Sequence, residues 1–394
     1  MYQRLLKAPL ENEQSFFLFG ARGTGKSYWL RNLQHESMQF NLLEPETRIE
    51  LSTKPSLLKE QIPPGYQGWV IIDEIQKAPV LLDLVHQLIE ERNYKFILTS
   101  SSARKLKKLG TNLLAGRAHT YHMYPLTVQE LADDFDLAIA LKYGMLPSVY
   151  DKSINAAPKY LSSYTKTYLY EEVMQEGLSR KLEAFSRFLE AASFSQASVL
   201  NIAFVARDLG LNARTVSNYF ELLEDMLLSY RLPVFSKRAK RKMISHPKFY
   251  FFDVGVYQSL RPKGILDSRE EIEGHALETL ILQELIALNH YYQLEYQLYY
   301  WRTVNDQEVD FVLYGPNGFF AIEVKRSSKV NVRDTKSLEL FLQDYPEARA
   351  YIVYGGDRSL YFDNKVEALG VLEFLTTLPL ILGSNFSCNS SNTS

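Results

Sequence analysis

The stretch GARGTGKS, residues 20–27, constrains the fold of this chain more than any other part of the sequence. It follows the apolar run Phe16–Phe19 and precedes a segment of helical character, Ser27–Gln34, so it stands between a predicted strand and a predicted helix. Glycines let a loop wrap its backbone N–H groups around phosphates, and the following helix turns its positive end toward them. The pattern G-x-x-x-x-G-K-S therefore predicts a phosphate-binding loop in a domain of alternating strands and helices.

Two residues of this loop have distinct chemical roles. The Lys26 side chain is expected to reach the β- and γ-phosphates of a nucleotide, and the Ser27 hydroxyl is expected to bind Mg²⁺. ATP and Mg²⁺ are therefore the predicted cofactors. The predicted nucleotide-binding residues of the loop are Gly20, Ala21, Arg22, Gly23, Thr24, Gly25, Lys26 and Ser27.

A second motif, WVIIDEIQ, supports the same interpretation. Its apolar, β-branched run predicts a strand buried on both faces, and the strand ends in Asp73 and Glu74. Asp73 is predicted to hold Mg²⁺, and Glu74 is predicted to activate the attacking water. Alone, the two acids would fit the solvated end of any strand. Together with the phosphate loop, in this order along the chain, they predict ATP binding.

The stretch KFILTSSSARKL predicts a further strand with a polar end. Ser101 is the preferred candidate for a residue that senses the γ-phosphate, Ser100 is its rival, and a serine-rich turn fits equally well. Downstream, Arg117 is predicted to act as an arginine finger on the nucleotide of a neighbouring subunit. Arg104 is a weaker candidate for that role, and a salt bridge at a helix end is the alternative for Arg117. The predicted finger implies a homo-oligomer.

The middle of the chain predicts a helix-turn-helix. The helices Ala203–Gly210 and Ala213–Leu228 flank a short turn, and Val234–Lys242 and Lys248–Phe252 are predicted to be two strands of a wing. The net charge of the whole chain is −2, so any nucleic-acid contact must come from a local patch. The basic stretch SKRAKRK, residues 236–242, could equally be a solvated loop or a docking site for an acidic protein. The predicted nucleic-acid contacts are Arg214, Lys237, Arg238, Lys240, Arg241 and Lys242.

The stretch QEVDFVLYGPNGFFAIEVK predicts a β-hairpin that carries charged residues. Glu323 and Lys325 point to the same side of their strand, and Asp310 lies on the partner strand. With Glu278 on the preceding helix, these residues form a predicted catalytic set of the nuclease type, in which Asp310 and Glu323 hold Mg²⁺. A cross-strand ion pair, or a nuclease-like fold that only binds, is the alternative.

The order of these motifs resembles that of the AAA-type ATPases of bacteria and archaea. GARGTGKS, WVIIDEIQ, LTSSSARKL, LLAGRA and YGMLP resemble the ATPase part, and HPKFYFFDVGVY, EGHALETLI, WRTVNDQEVDFVL and AIEVKRS resemble the domain of unknown function, family 4143, that follows it. The resemblance implies ATP hydrolysis by Lys26, Ser27, Asp73 and Glu74, a winged-helix insert and a restriction-endonuclease-like end. The usual TGSS of the family reads TSSS here, with Ser100 in place of glycine.

The sequence therefore predicts an α/β protein of three domains and a tail. These are a P-loop AAA-type parallel-sheet domain, a helical and winged-helix middle region, and a C-terminal α/β restriction-endonuclease-like domain. The single cysteine, Cys388, excludes a disulfide framework, and the N-terminus lacks the apolar core of a signal peptide. A cytoplasmic protein without a membrane span is expected. The predicted boundaries are 1–150, 151–258 and 259–380, with a disordered tail at 381–394.

Three functions follow from these predictions. The first is a Mg²⁺-dependent ATPase whose nucleotide state controls a nuclease-like domain that acts on DNA. The second is a nucleotide-switched regulator that binds DNA or a protein without cutting. In the third, the C-terminal part only oligomerises the ATPase.

Overall fold

A computed structural model describes residues 2–12, 14–33, 35–102, 118–150, 154–175, 182–265, 267–363 and 365–383. The chain divides into two compact units. Unit 1 comprises Met1–Leu126, Leu146–Ile154 and Ser217–Ser229, and unit 2 comprises Thr127–Met145, Asn155–Val216 and Tyr230–Ser394.

The strands of the described segments form three sheets. The first has the order β2-β3-β4-β1-β5, the second the order β13-β14-β12-β11-β10-β9, and the third the order β6-β8-β7. The strands are β1 Phe16–Phe19, β2 Ser37–Asn41, β3 Trp69–Asp73, β4 Lys95–Ser100, β5 His119–His122, β6 Ser198–Val199, β7 Ser229–Leu232, β8 Lys248–Phe251, β9 Gln297–Arg302, β10 Glu308–Gly315, β11 Gly318–Lys325, β12 Arg349–Tyr354, β13 Leu360–Phe362 and β14 Val366–Gly370.

Helices connect most of these strands. Within the described segments, no helix combines the length and the apolar character that crossing a bilayer requires. The helices are α1 Ala8–Glu11, α2 Lys26–Arg31, α3 Pro45–Thr53, α4 Ser56–Gln61, α5 Leu81–Arg92, α6 Val128–Leu131, α7 Leu137–Tyr143, α8 Pro147–Tyr150, α9 Ala157–Ser163, α10 Leu169–Gln175, α11 Leu182–Ser193, α12 Ile202–Leu209, α13 Ala213–Asp225, α14 Val254–Leu260, α15 Arg269–Tyr291, α16 Lys336–Asp344 and α17 Val371–Ile381.

The sheet of unit 1 is parallel at every pairing of its strands. Its inner strands are buried on both faces. This explains why β3 and β4 contain runs of consecutive apolar residues instead of alternating apolar and polar residues. β4 lies between β1 and β3, so the carboxyl ends of these three strands meet at one edge. Ligands of open parallel sheets bind at that edge. The predicted parallel α/β domain is confirmed.

Unit 2 contains a mixed six-stranded sheet. β9, β10 and β11 are antiparallel neighbours, whereas β11, β12 and β14 run parallel. The predicted hairpin is present, with Gly315 opposite Gly318 at its turn. The core of this sheet includes Trp301, Ile352 and Phe341, the last of which lies on α16.

One predicted strand is wrong. Val234–Lys242 forms no strand; it touches the edge of the six-stranded sheet at its two ends, where Val234 bridges Tyr300 and the Lys242 carbonyl accepts a hydrogen bond from Val304. Between these points the crowded positive charges favour an exposed loop, and Arg238 takes a left-handed backbone with φ 52°. The strand that lies beside β8 is instead β7, Ser229–Leu232.

Candidate functional site

The glycine-rich loop between β1 and α2 has the backbone that a phosphate cradle requires. Gly23 and Gly25 have φ values of 86° and 96°, a conformation that favours glycine. A Cβ atom at Gly20 would lie 2.5 Å from the carbonyl oxygen of Met123, so a larger residue would displace the strand end. Ala21 and Arg22 complete the turn. The loop therefore fits the nucleotide phosphates predicted for it.

Lys26 lies inside the loop rather than on the surface. Its side chain is buried, and Nζ donates to the Gly20 carbonyl oxygen at 2.6 Å. A buried ammonium group held by loop carbonyls is placed to meet phosphate oxygens at the same loop.

Ser27 and Asp73 meet across the end of the sheet. The Ser27 hydroxyl donates to Oδ2 of Asp73 at 3.0 Å, which brings together the two oxygen ligands predicted for Mg²⁺. The residues present therefore fit a Mg²⁺–nucleotide complex.

Thr99, at the end of β4, is a site residue that the sequence motifs do not indicate. Its hydroxyl donates to Oδ1 of Asp73 and accepts from the backbone N–H of Glu74 at 3.0 Å. Thr99 thus fixes both acids of the WVIIDEIQ motif. Its position directly before the serine run is the signal that could have indicated it.

Glu74 is held by a small hydrogen-bond cluster. Its backbone is left-handed, with φ 62°, and its Oε2 accepts hydrogen bonds from Ser101 at 3.0 Å and from Gln76. Burial alone would raise the pKa of this carboxyl, but the Lys26 charge and the two hydrogen bonds outweigh burial and lower the pKa. Glu74 is therefore ionised at neutral pH, as a base must be. Gln76 is a second residue that the sequence did not indicate.

The structure separates the two candidate serines. Ser101 lies beside Glu74, whereas the Ser100 hydroxyl turns back to the Ser102 carbonyl oxygen at 2.6 Å. Ser101 thus has the position expected for a γ-phosphate sensor, and its sensing role stays a prediction. Arg104 and Arg117 lie outside the described residues.

Arg4 supports the phosphate loop from the N-terminal segment. Its guanidinium donates to the Thr24 carbonyl oxygen at 2.7 Å and to the Tyr124 carbonyl oxygen at 2.6 Å. This arginine therefore ties the loop to the segment that follows β5. No sequence motif points to it.

The predicted nuclease-like residues converge in unit 2. Asp310 lies on β10, Glu323 and Lys325 lie on β11, and Glu278 lies on α15. Oδ2 of Asp310 accepts from the backbone N–H of Val324 at 2.9 Å. Lys325 Nζ is 2.6 Å from Oε1 of Glu323 on the same strand, so this ion pair differs from the cross-strand pair of the alternative interpretation.

The centre of this cluster is an ammonium group that the sequence did not indicate. Lys248, on β8, is buried and lies 3.0 Å from Oδ1 of Asp310 and 3.5 Å from Oε2 of Glu278. It also pairs with Glu308. Burial would lower the pKa of Lys248, but Tyr250 and the surrounding carboxylates raise it well above its ordinary value. Among the described residues, no group of three or more acidic, histidine or cysteine side chains is arranged to hold a metal ion.

The predicted basic contacts lie in an exposed loop of unit 2 and on α13. Lys237 Nζ stands 4.5 Å from the Tyr314 ring centroid, and Arg241 forms a 2.9 Å ion pair with Asp344. Arg238, Lys240 and Lys242 are exposed in the same loop, and Arg214 is exposed near the start of α13.

The parallel sheet and the glycine-rich loop of unit 1 are those of a P-loop domain. Residues 12–132 match the family described as AAA domain, and residues 273–374 match the family described as Domain of unknown function (DUF4143). The chain carries an AAA domain at its N-terminal end and a DUF4143 domain at its C-terminal end, which confirms the resemblance. Residues 134–267 match another family, Domain of unknown function (DUF8612).

Several relatives share most of the chain. Uncharacterised proteins of Mycobacterium bovis and Mycobacterium tuberculosis are each 27% identical over 321 residues, which is 79% of this chain and 70% of theirs. An uncharacterised protein of Haemophilus influenzae is 21% identical over 348 residues, 81% of this chain and 84% of its own. A crystal structure of a Vibrio cholerae protein covers 94% of this chain and 99% of its own at 13% identity, with a TM-score of 0.24, too low to inform the fold.

Proposed function

We propose that this protein is a Mg²⁺-dependent ATP hydrolase. The observation that carries the proposal is the meeting of Ser27 with Asp73 beside an ionised Glu74 at the end of a parallel sheet. Bound Mg²⁺ would neutralise charge on the phosphates. Lys26 would bind the β- and γ-phosphates, and Glu74 would accept the proton of the water that attacks the γ-phosphorus.

Phosphate release by the purified full chain tests this proposal. With ATP, we expect release that requires Mg²⁺, stops on chelation with EDTA and resumes when excess Mg²⁺ is restored. A matched series with plasmid DNA reports stimulation and nicking in the same tube. Bound ATP without phosphate release, with or without DNA, would contradict hydrolysis and favour a nucleotide-controlled switch.

We propose further that unit 2 binds nucleic acid under the control of the nucleotide. α12 and α13 enclose a turn that ends at Asn212, whose side chain accepts from the Thr215 N–H at 2.7 Å as a helix cap. We take the turn between α12 and the start of α13 as part of a winged helix, and the exposed basic loop would add phosphate contacts. An acidic protein partner is the alternative.

Arg117 is proposed to act in trans within a homo-oligomer.

Charge reversal in the basic loop tests the proposed contact with DNA. We expect the double variant Lys240→Glu, Lys242→Glu to weaken DNA binding and to reduce the slope of log K against log salt by about 0.9 for each phosphate that the loop no longer neutralises. The matched control is Lys159→Glu with Lys166→Glu, two exposed lysines of the same unit. Fluorescence anisotropy over a salt series measures both effects. Equal weakening in both variants would contradict a local interaction of the loop with DNA.

A further inference from the structure

The carboxylate cluster of unit 2 is arranged around an ammonium ion. A lysine ammonium carries three N–H donors. Three carboxylates surround Lys248 Nζ: Asp310 at 3.0 Å, Glu278 at 3.5 Å and Glu308 in direct contact. The number of donors therefore equals the number of acidic partners. Lys248 donates a hydrogen bond to Asp310 and forms ion pairs with Glu278 and Glu308.

Three of the four carboxylate oxygens of the two predicted metal ligands are engaged in other contacts. Asp310 uses one oxygen for Lys248 and the other for the Val324 N–H. Glu323 uses Oε1 for Lys325, and its Oε2 is buried without a hydrogen-bond partner. Among the described residues, these acids also form no group of three or more side chains that could hold the divalent cation implied by the motif.

Lys248 comes from a different sheet than the acids it binds. It lies on β8 of the three-stranded sheet, and Tyr250, two residues further along the same face, donates to Glu278 Oε2 at 3.1 Å. Asp310 and Glu308 lie on β10 of the six-stranded sheet. Lys248 thus joins the two sheets of unit 2 and α15 through one buried charge.

We propose that Lys248 is the resident cation of this carboxylate cluster and neutralises Asp310, one of the two acids predicted to hold Mg²⁺. The cluster is then a structural connection, and unit 2 does not cleave nucleic acid with it. This inference goes beyond the proposed ATPase and stands whether or not ATP is hydrolysed. The inference also predicts what happens when the ammonium group is removed. The remaining side chains would then offer oxygen ligands, which are the ligands that Mg²⁺ and Mn²⁺ prefer.

Manganese binding to the full chain without nucleotide tests the proposal. For the native protein we expect no Mn²⁺ binding that depends on Asp310: calorimetric titrations of the native chain and of Asp310→Asn should coincide. Lys248→Ala should melt at a lower temperature, because its acids then lack their counter-charge, and Mn²⁺ should raise that temperature again. Asp310→Asn in the Lys248→Ala background should remove the response to Mn²⁺. Lys325→Ala is the control, because it removes a lysine that pairs with Glu323 instead of the central one. This variant should not be stabilised by Mn²⁺.

Two results would overturn the proposal. One is Mn²⁺ binding by the native chain that Asp310→Asn abolishes, and the other is metal-dependent cutting of plasmid that the same variant abolishes. Both are measured on chains that retain Lys248, so they decide the matter even where Lys248→Ala does not fold. Neither depends on ATP, so a failed ATPase assay leaves this test intact.

Discussion

Glu74→Gln is expected to lower the turnover of ATP by ~10²–10⁴-fold, the range that removal of a general base produces. The amide keeps the size of the side chain but accepts no proton from water. The hydrogen bond between Glu74 N–H and Thr99, and the hydrogen bond between Ser27 and Asp73, do not use the Glu74 carboxylate. ATP binding should therefore persist. Single-turnover phosphate release and equilibrium binding of a fluorescent ATP analogue measure the two effects separately.

The control for this variant is Glu46→Gln. Glu46 is an exposed carboxylate on α3 of the same unit, and its replacement should leave turnover and binding unchanged. Turnover of Glu74→Gln close to that of the native chain would show that another group activates the water. A parallel decrease in ATP binding would show that Glu74 instead holds the loop together.

The nucleotide site could largely be predicted from sequence because its parts are local. The loop from Gly20 to Ser27 and the pair Asp73 and Glu74 each lie within one short motif. The parallel sheet then brings the motifs together, since the carboxyl ends of neighbouring parallel strands share one edge. Thr99 and Gln76 could not be predicted because a single threonine or glutamine carries no spacing of its own. Their roles depend on β4 lying between β1 and β3, a strand order that the sequence does not encode locally.

The carboxylate cluster was harder to predict because its central charge is distant in sequence. The hairpin pattern places Asp310 near Glu323, and the structure agrees. Lys248 precedes Asp310 by 62 residues and lies on a strand of another sheet. A lysine before an apolar strand normally indicates a solvated strand end. Only tertiary packing shows that this one is buried among acids. The basic loop failed as a strand because its crowded positive charges favour an exposed loop, and only its two ends contact the six-stranded sheet.

Residues 143–145, the start of YGMLP, and the stretch FFDVGVY carry no predicted chemistry, and these two segments pack against each other in unit 2. The buried Asp253 caps α14 by accepting from the Val256 N–H at 3.1 Å and also accepts from the Met145 N–H at 2.8 Å. A Cβ atom at Gly144 would lie 2.3 Å from Oδ1 of Asp253, and one at Gly255 would lie 2.1 Å from the Tyr143 carbonyl oxygen. The two segments therefore approach so closely that each requires a glycine.

Gly144→Ala is accordingly expected to destabilise unit 2 by about 4 kcal/mol, the sum of a backbone penalty and a steric one. Gly144 has φ 75° and ψ −167°, a region that L-residues avoid, and its added methyl group would also collide with Asp253.

Two variants separate these causes. Gly210→Ala, with φ 64° and no atom within 4 Å of the new Cβ, should cost only about 1–2 kcal/mol. Gly255→Ala, where φ is not positive, should cost about 1–3 kcal/mol through overlap alone. Urea unfolding of the three variants, compared at equal m value, measures the differences. Similar costs for Gly144→Ala and Gly210→Ala would show that the contact with Asp253 relaxes freely, and a close approach of the two segments would then not explain their glycines.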